Sequence, residues 1–179
     1  MVENKQILYG AVAGLISGII GSIVLYVVLA PSFDAFIYNL MYYQLKSTGL
    51  PEENITSLLN TTLKTIKSIY WLIGIGPVIN MLLIGALMGL YNSFLINRLR
   101  LAPGIASLLT GLTLILLLQL LPISLISMFY GEWFLEVLDE FIGLPVIIAP
   151  SIVYTVLLIV FNTLKGPWEK WGEAQPEIY

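Results

Sequence analysis

The apolar and polar positions divide the chain into four long apolar runs separated by polar connections. A helix of about 20 apolar residues is long enough to cross the hydrocarbon core of a bilayer. The runs contain no Asp, Glu, Lys or Arg, and they cover about residues 7–30, 70–96, 103–128 and 141–164. The pattern predicts an all-α integral membrane protein, a bundle of four transmembrane helices that forms a single membrane domain over residues 1–179.

The connection between the first two spans, residues 31–69, is the longest and has a helical periodicity of its own. Pro51 followed by Glu52 and Glu53 is typical of a helix start. Beyond it, apolar residues recur at helical spacing with polar residues opposite them: Ile55, Leu58, Leu59, Leu63 and Ile66. Such a helix lies on a membrane surface or on other helices. We therefore expect an external helical loop that contains an amphipathic, interfacial helical segment.

The connection between the third and fourth spans, residues 129–140, carries acidic residues and no basic one. On a helix, Glu132, Glu136 and Glu140 would share one face, where like charges destabilise the helix. We therefore expect an irregular acidic external loop. Close carboxylates can bind Ca²⁺ or act as an acid–base pair, but a solvated loop is the simpler interpretation.

The composition excludes several classes of function. Hydrophobic residues make up 58% of the chain and charged residues 11%, whereas soluble domains are about one quarter charged. The chain has no cysteine and no histidine, which excludes disulfides, thiolate nucleophiles, Cys/His zinc sites and His-ligated haem within it. We predict no cofactor and no metal. The formal charge of −3 and the lack of a basic patch argue against a nucleic-acid partner.

The basic residues predict an orientation, because Lys and Arg accumulate in short cytoplasmic loops. With the N-terminus inside, five basic residues face the cytoplasm and three, all in the long loop, face outward. Arg98 and Arg100, in a very short link, weigh most in this comparison. We predict a multi-pass protein of the plasma membrane with both termini in the cytoplasm. Residues 165–179 are predicted to form a cytoplasmic tail.

Two sequons lie on the polar face of the amphipathic helix, at Asn54 and Asn60. An Asn-X-Ser/Thr motif is an acceptor for N-glycosylation where it is exposed on the outer side of a membrane. Asn54 and Asn60 are therefore candidate modification sites, and their position agrees with an external loop.

Small residues form faces on two of the spans. In the first span they are Gly10, Gly14, Gly18 and Gly21, and in the second Gly85 and Gly89. Without Cβ atoms, two helices approach closely enough for dispersion and Cα–H···O contacts to hold them together. The simplest interpretation is packing within this chain, with the two faces against each other. Self-association, docking of a partner subunit and a pore lining are the alternatives.

A layer of polar side chains is predicted inside the bundle. Counting 1.5 Å per residue from the outer ends places Asn80, Gln119 and Ser151 at similar depth, with Ser22 near that level. Prolines lie close by in three of the four spans, and interrupted helices at mid-depth form the substrate sites of many transporters. Either these side chains hydrogen-bond to one another and hold a kinked bundle together, or they form a site for a small molecule or ion.

These features favour a non-catalytic membrane protein, an accessory or structural subunit of a larger membrane assembly. Its expected partners are membrane lipid and other membrane subunits or further copies of itself. The first alternative is a small oligomeric channel or carrier with a polar site at mid-membrane depth. The second alternative is a membrane enzyme, which is disfavoured because the chain has no Cys or His and the predicted spans contain no Asp, Glu, Lys or Arg.

Overall fold

The computed structural model describes residues 4–68 and 70–170, and every regular element in them is helical. The α-helices are α1 (Asn4–Leu29), α2 (Phe33–Ser47), α3 (Glu52–Ser68), α4 (Leu72–Asn97), α5 (Pro103–Thr113), α6 (Leu121–Tyr130), α7 (Glu132–Phe141) and α8 (Leu144–Thr163). A π-helical segment, Leu114–Leu120, joins α5 to α6. Short 3₁₀ turns follow α1 and α8, at Ala30–Ser32 and Pro167–Lys170. The all-α prediction is confirmed.

Four helical stretches of the described chain are long and apolar enough to cross a membrane. The first runs from α1 through the 3₁₀ turn into α2, and the third runs from α5 through the π-helical segment into α6. The stretches are Asn4–Ser47, Gly74–Asn97, Pro103–Tyr130 and Leu144–Thr163. Each overlaps one predicted apolar run, so the predicted number of long apolar helices is confirmed.

Proline and glycine set the helix boundaries. Pro31 disfavours the α conformation of the residue before it, and α1 ends at Leu29. Pro103 occupies the start of α5, where its missing N–H is not needed. Gly131 and Gly143 have φ values of +96° and +77°, a region that other residues enter only with strain. These two glycines separate α6 from α7 and α7 from α8.

The central bundle consists of α1, α4, α5 and α8. Helix α1 packs antiparallel against α4, and α8 packs against both α1 and α5. The buried apolar side chains between them are Tyr9, Ala13, Met81, Met88, Leu114, Tyr154, Leu158 and Phe161. Many other large apolar side chains are exposed on the outer faces of these helices, as lipid-facing positions would be.

A second group of helices, α2, α3 and α7, lies at the end of the bundle where α1 ends and α4 begins. Its core contains Leu29, Phe33, Phe36 and Val137. The Phe33 ring packs edge-on against the Tyr70 ring at a centroid distance of 4.4 Å. An exposed ion pair joins Lys67 Nζ to an Asp34 carboxylate oxygen over 2.7 Å. Residues 31–68 therefore contain two α-helices, α2 and α3, in the segment where the sequence predicts an external helical loop.

The prediction of an irregular acidic loop at residues 129–140 is wrong. Helix α6 continues to Tyr130, and Glu132–Phe141 form helix α7. The apolar face of α7 explains the difference, because Val137 is buried and Phe141 packs against Phe36 at 5.8 Å between ring centroids. Burying one large apolar side chain contributes roughly 1.5–3 kcal/mol. The repulsion between exposed carboxylates one turn apart costs only about a few tenths of a kcal/mol.

Candidate functional site

The two glycine faces pack against each other. A Cβ atom added to Gly10 would lie 2.7 Å from the Cα atom of Gly89, and one added to Gly85 would lie 2.8 Å from the Cα atom of Gly14. Both distances are shorter than a normal contact between carbon atoms. The backbones of α1 and α4 therefore touch directly, and neither face is left free to receive another helix.

The remaining glycines of α1 contact different neighbours. A Cβ on Gly18 would lie 2.9 Å from the Cα of Val78 in α4, whereas one on Gly21 would meet the ring of Pro150 in α8. The small residues of α1 thus serve two helices. Sequence reasoning missed a similar contact at Gly111 of α5, where an added Cβ would lie 2.6 Å from the Cβ of Thr155 in α8.

The predicted polar layer is only partly brought together. The Ser22 hydroxyl donates a hydrogen bond to the carbonyl oxygen of Gly74, on a side of α1 that also presents Tyr26 and Val27. Ser151 is fully buried, and its hydroxyl oxygen has no hydrogen-bond partner among the described residues. Ser22 and Ser151 therefore do not share a site with the two amides of the layer.

The two amides, Asn80 and Gln119, line one cleft of about 470 Å³. Pro77 and Pro150 also line this amide cleft, and Gly76 and Asn80 are exposed in it. The remaining lining is mainly apolar: Gly21, Leu25, Met81, Ile123, Phe134, Leu138, Ile142, Val146 and Ile147. Helix α7 contributes Phe134, Leu138 and the following Ile142, so the cleft lies in the half of the bundle nearer to α7.

Hydrogen-bonding capacity remains unused in the amide cleft. Gln119 Nε2 donates to the carbonyl oxygen of Ile147 over 3.0 Å, but the buried Oε1 atom has no partner among the described residues. No hydrogen bond joins the Asn80 side chain to another described residue. An amide in an apolar environment is costly unless it is hydrogen-bonded. The cleft therefore offers at least one acceptor and one free amide to a bound group.

Gln119 lies in the π-helical segment Leu114–Leu120. Such segments are rare and occur frequently at functional sites. Pro122 lies two residues after the end of the segment, where a proline removes one backbone hydrogen bond and disturbs the turn before it. The Gln119 side chain reaches α8, where its amide nitrogen bonds to the Ile147 carbonyl oxygen. The π-helical segment thus contributes Gln119 to the lining of the amide cleft.

A larger polar network, which sequence reasoning missed, joins the four helices of the bundle at the opposite end. Asn92 Nδ2 donates to Gln6 Oε1 over 2.9 Å, and Gln6 Nε2 donates to Asn162 Oδ1 over 2.8 Å. The Thr110 hydroxyl donates to Asn92 Oδ1 over 3.2 Å, and Asn162 Nδ2 donates to the Ser107 hydroxyl oxygen over 3.1 Å. One continuous chain of hydrogen bonds therefore connects α1, α4, α5 and α8.

The members of this network are neutral, and their amide oxygens all accept hydrogen bonds. Asn92, Thr110 and Ser107 are completely buried, and Gln6 is 6% exposed. A satisfied buried network fixes the relative position of the helices that it joins. A sequence signal was present, because each apolar run carries a polar residue near the same end: Asn92, Thr110 and Asn162 in spans two to four, with Gln6 just before span one.

The charged residues divide between the two ends of the molecule. Where α1 begins and α8 ends, a basic end contains five basic residues and one acidic residue: Lys5, Arg98, Arg100, Lys165, Lys170 and Glu169. The opposite, acidic end contains three basic residues and seven acidic ones: Lys46, Lys64, Lys67, Asp34, Glu52, Glu53, Glu132, Glu136, Asp139 and Glu140. These counts cover the described residues.

The candidate modification and acid–base residues lie at the acidic end. Asn54 and Asn60 are exposed on α3, opposite the buried Ile55 and Leu59. The four carboxylates of α7 are all exposed. Among residues 4–68 and 70–170, no group of three Asp or Glu side chains is arranged to hold a metal ion.

Comparisons with known proteins give no relative for the chain. No family model, no curated protein and no solved structure matches it.

Proposed function

We propose that the chain is a multi-pass protein of the plasma membrane and a non-catalytic subunit of a larger membrane assembly. Its single domain would cross the bilayer four times. The amide cleft is the observation that carries the proposal. A transmembrane helix of a partner, bearing a Ser, Thr, Asn or Gln side chain, would cover the cleft and hydrogen-bond to Asn80 and to Gln119 Oε1.

The physical argument rests on the environment of these two amides. In hydrocarbon an amide has no water to bond, and interhelical hydrogen bonds between such side chains contribute about 1 kcal/mol each. A partner helix would supply the missing bonds and would also cover the apolar lining of the cleft. The glycine faces of α1 and α4 pack on each other, so they are not the docking surface of this proposal.

The charge distribution supports an orientation with both termini in the cytoplasm. The basic end holds the link between α4 and α5, with Arg98 and Arg100, and the start of α1, with Lys5. Basic residues in short links face the cytoplasm. The acidic end, which includes both sequons, would then face outward, where Asn54 and Asn60 are accessible to glycosylation.

A non-catalytic role is supported by the nature of the polar groups. The bundle network is built from neutral amides and hydroxyls that hydrogen-bond to one another. The carboxylates of α7 are all exposed to solvent, as on an ordinary surface helix. The chain also lacks cysteine and histidine.

Intact-complex mass spectrometry after gentle purification from the source membrane through a C-terminal tag tests the proposal. We expect stoichiometric foreign chains with the wild type. An Asn80→Val variant should lose them, whereas the matched control Leu83→Val, at a 60% exposed position of α4 outside the cleft, should retain them. A wild-type protein that is purified without any foreign chain contradicts the proposal.

A small oligomeric channel or carrier is the second candidate, and the cleft also favours it. Pro77 lies inside α4, Pro150 lies inside α8 and the π-helical segment joins α5 to α6. These three irregular positions surround the Asn80 side chain and Gln119 Oε1, and transporters bind substrates at such irregular helices near mid-membrane depth. Purification of a lone homo-oligomer would favour this function. Solute flux into liposomes should then fall with Gln119→Leu while the folded fraction stays unchanged.

A further inference from the structure

A second cleft, of about 400 Å³, opens at the basic end of the bundle. Its charged lining residues are Lys5, Lys165 and Glu169, so positive charge is in excess. Its apolar lining includes Ile96, Phe161 and Leu164, beside the polar network residues Gln6 and Asn162. This basic cleft is far along the helices from the amide cleft and shares no lining residue with it.

The wall of the basic cleft is held by specific contacts. The Tyr9 hydroxyl donates to the carbonyl oxygen of Trp168 over 3.0 Å, which ties the turn after α8 to α1. The Phe161 and Trp168 rings pack at a centroid distance of 5.4 Å. The Lys5 ammonium lies 5.7 Å from the centroid of the Tyr9 ring. The turn that carries Glu169 is therefore fixed beside both lysines.

We infer that this cleft binds the headgroup of an anionic phospholipid. Two ammonium groups attract a phosphodiester, and the apolar wall accommodates the start of the acyl chains. Basic pockets between transmembrane helices on the cytoplasmic side bind acidic lipid headgroups in general. The rest of the basic end, with Arg98, Arg100 and Lys170, adds attraction for a negatively charged leaflet. The Glu169 carboxylate can accept a hydrogen bond from a headgroup hydroxyl.

This inference rests on the membrane placement proposed above, but not on the assembly role. A protein that is purified with partner chains yet shows no lipid preference would contradict only the lipid site. A protein without partners that prefers an anionic lipid would contradict only the assembly role.

The test is a titration of the purified full chain in neutral detergent with short-chain phosphatidylglycerol, followed by the thermal melting midpoint. We expect phosphatidylglycerol to raise the midpoint more than phosphatidylcholine of the same chain length. The double variant Lys5→Gln/Lys165→Gln should need about fivefold more phosphatidylglycerol for each lysine removed. The control Lys46→Gln/Lys64→Gln removes the same charge from the acidic end and should behave like the wild type.

A third variant, Lys5→Arg/Lys165→Arg, keeps the charge and should keep the preference for phosphatidylglycerol. Three results would overturn the inference. They are equal effects of the two lipids on the wild type, an unchanged lipid requirement in the Lys5→Gln/Lys165→Gln variant, and an equal rise of the midpoint with soluble glycerophosphate. The last result would assign the site to a free phosphate rather than to a lipid.

Discussion

Gly10 of α1 and Gly85 of α4 face each other reciprocally: the carbonyl oxygen of each is the atom that a Cβ on the other would meet first. The Tyr154 hydroxyl of α8 donates to the same Gly85 carbonyl over 3.2 Å. Three helices therefore meet at one peptide group. This contact sets the distance between α1 and α4, because a side chain at Gly10 or Gly85 would displace the backbone of the other helix.

The first prediction concerns this contact. Gly10→Ala should destabilise the protein by about 1–3 kcal/mol, the usual cost of overpacking a close interface. Gly74→Ala is the matched control, since a Cβ there meets nothing within 4 Å and alanine favours the helix. Thermal melting in detergent should show a lower midpoint for Gly10→Ala only. Equal midpoints for both variants would contradict the close approach of α1 and α4.

The second prediction concerns the polar network. Asn92→Ala removes the partner of both Gln6 and Thr110, and leaving buried groups unpaired costs about 1–3 kcal/mol. Asn97→Ala in the same helix is the control, because Asn97 is exposed and its side-chain amide donates to the Ser93 hydroxyl oxygen, one turn away in α4. Unfolding by denaturant should show a loss of stability for the first variant. A similar stability of both variants would mean that the network is dispensable.

The third prediction concerns orientation, and the lack of cysteine makes it simple to test. A Ser57→Cys variant carries its thiol on α3 at the acidic end, and a Glu169→Cys variant carries it at the basic end. A membrane-impermeant maleimide should label the first in intact cells and the second only after lysis. The reverse pattern would invert the proposed orientation, and labelling of both in intact cells would contradict four crossings.

The fourth prediction tests whether the Asn80 side chain belongs to a binding site or stabilises the bundle. Asn80 is exposed and its side chain has no hydrogen bond to a described residue. Asn80→Val should therefore change the free energy of unfolding of the isolated protein by no more than about 0.5 kcal/mol, as surface substitutions do. Asn92→Ala provides the positive control for a destabilised protein. A strong loss of stability in Asn80→Val would show that the amide holds the bundle together.

Much of the architecture follows from the sequence for a clear physical reason. Uncharged apolar runs of more than about 20 residues favour membrane-spanning helices. Glycines four residues apart share a helix face, so the sequence predicts that the two glycine faces pack against each other. The register between helices and the rotation of each helix about its axis are harder to predict from the sequence. Depth puts Ser22 near the level of Asn80, but Ser22 hydrogen-bonds to the Gly74 carbonyl and does not line the amide cleft. Depth does not fix which way a side chain points.

Two features were mispredicted or missed because local rules were weighed without the tertiary environment. The repulsion between Glu132 and Glu136 favoured a loop, yet the buried Val137 and the neighbouring aromatic rings stabilise α7. Gln6, Asn92 and Asn162 lie near the ends of their spans, where a polar side chain is as easily solvated as buried. Only the packing of four helices shows that they bond to one another.

Site-specific photocrosslinking from the amide cleft is the most direct measurement of the assembly role. Gly76 lines the cleft and an added Cβ there meets nothing, so a benzoylphenylalanine at this position fits. A control probe at Val156, 53% exposed on α8 and outside the cleft, faces elsewhere. Irradiation in the native membrane should join the Gly76 probe, and not the Val156 probe, to one defined foreign membrane protein. Adducts with lipid alone from both positions would contradict a partner in the cleft.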